Sequence, residues 1–274
     1  MRVQMWCDME GVCGITQWEQ VSASRDRAFF EESRRLYTEE INAAVRGAKK
    51  AGAREIIVID GHGAGGAFSM NSWIKDRLEP GAEYVMGYRW GCYVEALKAG
   101  CDALLLPGAH AMAGTPDGVL CHTMSSEAWV NAWMNDTLVG ESGIIAAIAG
   151  HFDTPCVFVS GDAATCREVS ALVGPSITQA VTKIGLGRFS ARSLSLADSV
   201  ALIESKVYEA LTNRGNWPRP WKTKCPTEFR VELATPDQSV QYLNRKGVEI
   251  LNPRVVASRA ENPWEAWQQF WRAH

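Results

Sequence analysis

The sequence predicts an α/β fold: a mostly parallel sheet with flanking helices, followed by a smaller α+β C-terminal portion. Three observations carry this. Apolar stretches at 1–7 and 55–60 are separated by a segment of helical period, the pattern of a βαβ unit with a parallel, right-handed connection. Further apolar runs at 101–110 and 156–162 also end on or next to polar residues. Beyond about residue 190 the chain changes to a helix, a Pro-rich connection, strand-like segments and a final helix.

In order, Val3, Met5 and Cys7 alternate with Arg2, Gln4 and Trp6, which predicts a short strand. Residues 12–28 read as a loop. Over 29–51, Tyr37, Ile41, Ala44, Val45 and Ala48 recur at helical spacing, and Gly52 suits the position just past a helix end. The run EIIVID is a buried-type strand ending at Asp60. A glycine-rich loop follows at 61–67, then a short helix around 70–78 and a strand near 83–87. A strand at 101–110, an irregular stretch at 115–128 and a strand beginning WVNAWM come next. Glu141 opens a small-residue helix, CVFVSGD is a strand, and 163–173 is a helix. After 190, a helix at 198–213 rests on Val200, Ile203, Val207 and Leu211, and TEFRVELA and RVVASRA read as strands. Asn262, Pro263 and Glu265 mark the start of a last helix. Its Trp264, Trp267 and Trp271 fall on one stripe, a pattern of core or interface packing.

Composition narrows the function classes. The 274 residues are 46% hydrophobic and 22% charged, as in an ordinary globular protein. A net charge of −3 offers no footprint for nucleic acid or an anionic membrane. No run approaches the ~18 apolar residues of a membrane span, and Asp8 and Glu10 interrupt any leader-like segment. The eight cysteines form no C-x-x-C pair, so they read as reduced thiols, and a cytoplasmic location is expected.

Asp8 and Glu10 raise the first question about chemistry. If strand geometry persisted through them, both carboxylates would face one space. At roughly 5–6 Å and an effective dielectric of about 20, they would repel by about 3 kcal/mol. Solvent, a cation or a raised pKa must compensate. Asp60 and His62, His110, and Asp162 stand at other strand ends, and His122 and Glu141 lie in the segments that follow. Ligands gather beyond the carboxyl ends of the strands in such sheets. Each residue alone is ordinary: surface acids are usually solvated, and a histidine after a strand is often a turn residue. Together they offer oxygen and nitrogen ligands without sulfur, which suits catalytic Zn²⁺, Mn²⁺ or Co²⁺. The number of carboxylates suggests two ions with one carboxylate bridging. The 61–66 loop lacks the G-K-[ST] of a P-loop, and the chain has no G-x-S-x-G of a serine hydrolase.

In this order, D-M-E-G (8–11), D-G-H (60–62), G-A-H-A (108–111), H-T-M (122–124), V-G-E-x-G (139–143) and V-S-G-D (159–162) resemble the zinc-dependent D-aminopeptidase family. The resemblance is specific over 1–165 and weaker beyond about 190. It implies a dinuclear zinc site with Asp8 as the shared carboxylate, Glu10, His62, His110 and Glu141 as the other ligands, and His122 as the catalytic histidine. Asp60, and more weakly Asp162, then read as groups that orient ligands. The resemblance also implies a homo-oligomer, a ring-shaped decamer. The expected activity is hydrolysis of the N-terminal amide of short peptides, with a possible preference for D-residues. A metal-dependent amidase acting on a non-peptide amide and a non-catalytic peptide-binding protein are the alternatives. Residues 1–190 are expected to form the metal-binding catalytic domain. Residues 191–274 would form a smaller domain for oligomerisation or for shaping the substrate site. The loops 12–28 and 112–128 are the candidates for substrate selection.

Overall fold

A computed structural model describes residues 1–87 and 94–271; Cys92 and His274 lie outside these. Strand β1 (Arg2–Cys7) leads through the short helix α1 (Trp18–Val21) into α2 (Arg27–Lys50). Then come β2 (Glu55–Asp60), β3 (Glu83–Val85), α3 (Glu95–Lys98) and β4 (Ala103–Ala109). Next are β5 (Trp129–Met134), β6 (Thr137–Leu138), α4 (Glu141–His151), β7 (Cys156–Asp162), α5 (Ala163–Val173), β8 (Thr178–Gly187) and β9 (Ser190–Ser193). The order closes with α6 (Leu196–Thr212), β10 (Thr227–Leu233), β11 (Val248–Asn252), β12 (Val255–Ala260) and α7 (Pro263–Gln269).

The first sheet has the order β3-β2-β1-β4-β7-β8-β9 and is parallel except for the β8–β9 hairpin. The expected α/β fold with a mostly parallel sheet is therefore present. From β1 the chain winds one way through β2 and β3, then returns to β4 on the other side of β1. The β1/β4 boundary is thus a topological switch point, where a crevice opens beyond the strand ends. The second sheet, β11-β12-β10-β5-β6, is antiparallel. It takes β5 and β6 from mid-chain, while α6 packs on α2.

The alternation in β1 decides which core each side chain joins. Val3, Met5 and Cys7 pack with Tyr37, Ile41 and Val45 of α2 and Ile203 and Val207 of α6. Trp6 joins the opposite core with Ile144 and Ile148 of α4, Phe229 of β10, and Trp264 and Trp267 of α7. Both faces of the strand are covered, as parallel strands require, so even Gln4 is buried. Asp26 caps α2 by accepting from Phe29 N at 3.0 Å. The predicted core packing of the tryptophan stripe holds for Trp264 and Trp267.

Several local expectations are corrected. The helix expected around 70–78 is replaced by 3-10 turns at Gly66–Phe68 and Lys75–Arg77. Met70 is left-handed (φ 53°), and side chains take the backbone groups that a helix would pair internally. Asp60 accepts from Ser72 N, and Arg34 donates to the carbonyls of Ser72 and Trp73. The 12–28 loop contains α1. Strands β8, β9 and β11 are not announced by the sequence pattern. No described helix is long and apolar enough to cross a membrane.

Candidate metal centre

Beyond the ends of β1, β2 and β4 the structure gathers the acids and histidines singled out in the sequence. Asp8 and Glu10 follow β1, His62 follows β2, and His110 directly follows β4. Glu141 is the first residue of α4, a position that favours negative charge, and His122 lies on the irregular stretch between β4 and β5. A pocket of about 350 Å³ is lined by Asp8, Glu10, His62, His122 and Glu141. His110, 2% exposed, packs against them.

The shared-strand explanation of Asp8 and Glu10 does not hold, because β1 ends at Cys7. A turn brings both acids to the pocket, and it is pinned along β4: Asp8 N donates to Pro107 O at 3.0 Å and Gly11 N to Gly108 O at 2.8 Å. The two backbones nearly touch. A Cβ on Gly11 would stand 2.0 Å from Ala109 O, and one on Gly108 (φ +72°) would stand 2.0 Å from Asp8 O. Glycine serves close approach at Gly11, not a positive φ.

Asp8 stands between two histidines. Its Oδ1 lies 3.3 Å from His62 Nδ1, and its Oδ2 lies 3.3 Å from His110 Nε2. Glu10 Oε2 completes the first group, 3.0 Å from His62 Nδ1, and Glu141 Oε1 the second, 3.2 Å from His110 Nε2. His122 Nε2 is 3.6 Å from Glu141 Oε1. Backbone carbonyls hold the opposite ring nitrogens: Val21 O for His62 Nε2, Ala111 O for His110 Nδ1 and Leu120 O for His122 Nδ1, at 2.7–3.0 Å. Each ring is thereby oriented with one nitrogen toward the acids.

The charges are strongly interdependent. Burial would raise the Asp8 carboxyl, but the neighbouring His110 and His62 rings hold it well below the carboxylate range. Burial likewise opposes Glu141, whose pKa His110 brings down. Burial would lower the His62 and His110 rings, yet the neighbouring acids push both well up. His122 behaves differently: burial first, then His110, lowers it.

The donor set fits divalent metal. Two atoms each about 2.0–2.1 Å from a tetrahedral zinc stand about 3.3 Å apart, close to the spacings seen here. Glu10 Oε2 and His110 Nε2 are buried with no aligned hydrogen-bond partner, as expected of atoms meant for a cation. Asp8, Glu10 and His110 offer donor atoms within 4.8 Å of one another, as do His110, His122 and Glu141.

The flanking acids act on the backbone. Asp60 Oδ1 accepts from Tyr37 Oη at 3.1 Å and from His62 N at 3.2 Å, so it fixes the turn that presents His62. Asp162 caps α5 through Thr165 N and accepts from Val119 N, both at 2.7 Å, three residues before His122. Its hydrogen bonds go to these groups, not to the site histidines. The loops expected to select substrate do reach the pocket, through Trp18, Ser22 and Arg25 and through Met124, Ser125 and Glu127. Trp271 joins them, a role its packing stripe did not announce. Sequence reasoning also passed over Glu168, which accepts from Met112 N at 2.8 Å, and Lys183, which is 1% exposed. Their residue types signal solvent-exposed helix and strand positions, and only burial reveals them.

Comparison with known proteins finds relatives over nearly the whole chain. A curated D-aminopeptidase of Bacillus subtilis (strain 168) is 32% identical over 270 residues, covering 98% of this chain and 94% of the relative. A solved structure described as the Zn-dependent D-aminopeptidase DppA from Bacillus subtilis, a self-compartmentalizing protease, is similar with a TM-score of 0.90. It is 30% identical, with 99% of this chain and 96% of that one covered. The model of the M55 peptidases, described as D-aminopeptidase, matches residues 1–272, and the chain therefore belongs to the D-aminopeptidase family.

Proposed function

We propose that this chain is a dinuclear-zinc aminopeptidase that releases the N-terminal residue of short peptides, with a preference for D-residues. The observation that carries the reading is the division of Asp8, one oxygen toward His62 and the other toward His110. Asp8, Glu10 and His62 would hold one ion, and Asp8, His110 and Glu141 the other. Mn²⁺ or Co²⁺ suits the same donors. When bound, two zinc ions supply Lewis acidity to the scissile carbonyl and an acidified water.

The protein's own contribution is orientation and proton transfer. His122 keeps its Nδ1 on Leu120 O, which leaves Nε2 toward Glu141 and the pocket. It can take a proton from the attacking water and return it to the leaving amine, and burial, which lowers its pKa, favours the neutral imidazole that first accepts. Trp18 and the His122 ring pack in a T-shaped arrangement, with centroids 5.3 Å apart. A pocket of about 350 Å³ suits a small ligand.

The wider setting belongs to the same reading. The seven described cysteines are all free, which supports a reducing, cytoplasmic compartment. A closed homo-oligomer, a decamer by resemblance, is supported by the relative described as self-compartmentalizing and by the exposed Leu186 and Phe189 of the β8–β9 hairpin. The deciding experiment is a panel of D- and L-dipeptides and non-peptide amides given to zinc-loaded protein, with and without chelator. Chelator-sensitive cleavage fastest for D-aminoacyl peptides is expected. Faster turnover of a non-peptide amide would assign the site to that class instead.

A further inference from the structure

Neither the metal chemistry nor the pocket uses Lys183, although it is among the most buried polar side chains of the described residues. Its three ammonium hydrogens are all engaged. Nζ donates to Glu10 O at 2.6 Å, Val12 O at 2.9 Å and Ile15 O at 2.6 Å. Its neighbour Thr182, fully buried, places Oγ1 3.0 Å from Gly11 O and 3.1 Å from Gly161 O. Two adjacent residues of β8 thus grip the carbonyls of residues 10, 11, 12 and 15. From α2, Glu40 Oε1 accepts from Cys13 N at 3.0 Å and from Ser199 Oγ at 2.6 Å, and so holds an amide of the same loop.

A buried ammonium is costly, and water or a tighter turn could satisfy loop carbonyls on a surface. Here one of the gripped carbonyls belongs to Glu10, whose side chain faces His62 across the site. Resting on the dinuclear reading above, we propose that Lys183, seconded by Thr182, is a positioning residue. It holds the 8–15 loop so that Glu10 stands in ligating range of the position shared with Asp8 and His62. A catalytic centre needs its ligands fixed to about 0.5 Å, and such precision comes from supporting groups of this kind. The alternative is that the ammonium merely satisfies buried carbonyls and contributes to stability alone.

Two variants, Lys183→Met and Thr182→Val, separate these possibilities. Three quantities are read on each: amide exchange of the 8–15 segment in the metal-free protein, zinc dissociation constants by chelator competition, and kcat with KM. The expected result for Lys183→Met is exchange at least about tenfold faster in that segment, with the β7 strand unchanged. The weaker of its two zinc sites should lose a further 10–100-fold, the range known for groups that support ligands, and kcat should fall more than KM rises. Thr182→Val should shift the same quantities in the same direction by a smaller factor. A lower melting temperature with unchanged exchange and unchanged zinc affinity would overturn the proposal. If Lys183→Met does not fold, Thr182→Val decides by the same criteria. If the wild-type chain binds no zinc, the dinuclear reading fails and loop exchange alone judges the anchor.

Discussion

The rings of His110 and His122 stack face to face, with centroids 4.0 Å apart and planes 11° from parallel. Both hold Nδ1 on a backbone carbonyl, yet their free nitrogens meet different surroundings. His110 Nε2 faces Asp8 and Glu141 at 3.2–3.3 Å, whereas His122 Nε2 approaches Glu141 alone, at 3.6 Å. On the function proposed above, the stack would place a ligand beside a proton carrier. His122→Ala is expected to keep both zinc ions and lose a factor on the order of 10²–10⁴ in kcat, the usual worth of a general acid–base. Metal analysis alongside steady-state rates checks this. Loss of one zinc together with turnover would make His122 a ligand.

Asp8 and Glu10 are expected to differ despite their closeness in sequence. Asp8 faces both histidines, and Glu10 faces His62. Asp8→Asn should therefore strip most metal from both positions, while Glu10→Gln should leave about one zinc per chain. Zinc content after exhaustive dialysis distinguishes them. Equal metal in the two variants would contradict this division.

Why these residues were readable is a matter of topology. Asp8, His62 and His110 follow strands whose apolar runs are unmistakable, and parallel strands bring their ends together whatever the loops do. The sequence could not show how Asp8 and Glu10 converge. That depends on Gly11 and Gly108 letting two backbones meet, a long-range contact. Strand β8 escaped notice because its burial is uneven and includes Thr182 and Lys183, types normally left in water. The expected helix at 70–78 failed because Asp60 and Arg34, distant in sequence, take its backbone groups. The role of Trp271 at the pocket likewise depends on how the second sheet packs on the first.

Glu168 gives the stability a pH dependence of definite sign. Its Oε2 accepts from Met112 N, and its Oε1 is buried with no partner. Burial pushes the carboxyl up from 4.5 to about 7. The folded chain therefore holds this proton more tightly than the unfolded chain. The resulting stability is complete below pH 4.5 and is lost as pH rises through about 7. A shift of this size corresponds to about 3 kcal/mol. Glu168→Gln removes the charge and keeps an acceptor for Met112 N. In metal-free protein, its stability relative to wild type should rise by about 2–3 kcal/mol between pH 5 and 8. Urea denaturation across that range measures it; a pH-independent difference would mean that Glu168 does not titrate there.

The shared role of Asp8 is open to direct observation. Crystals of the zinc-loaded protein, measured at the zinc absorption edge, should show two anomalous peaks per chain. They should lie about 3.5–4 Å apart, one beside each oxygen of Asp8. A single peak, or a pair of which only one contacts Asp8, would contradict the dinuclear centre proposed for this chain.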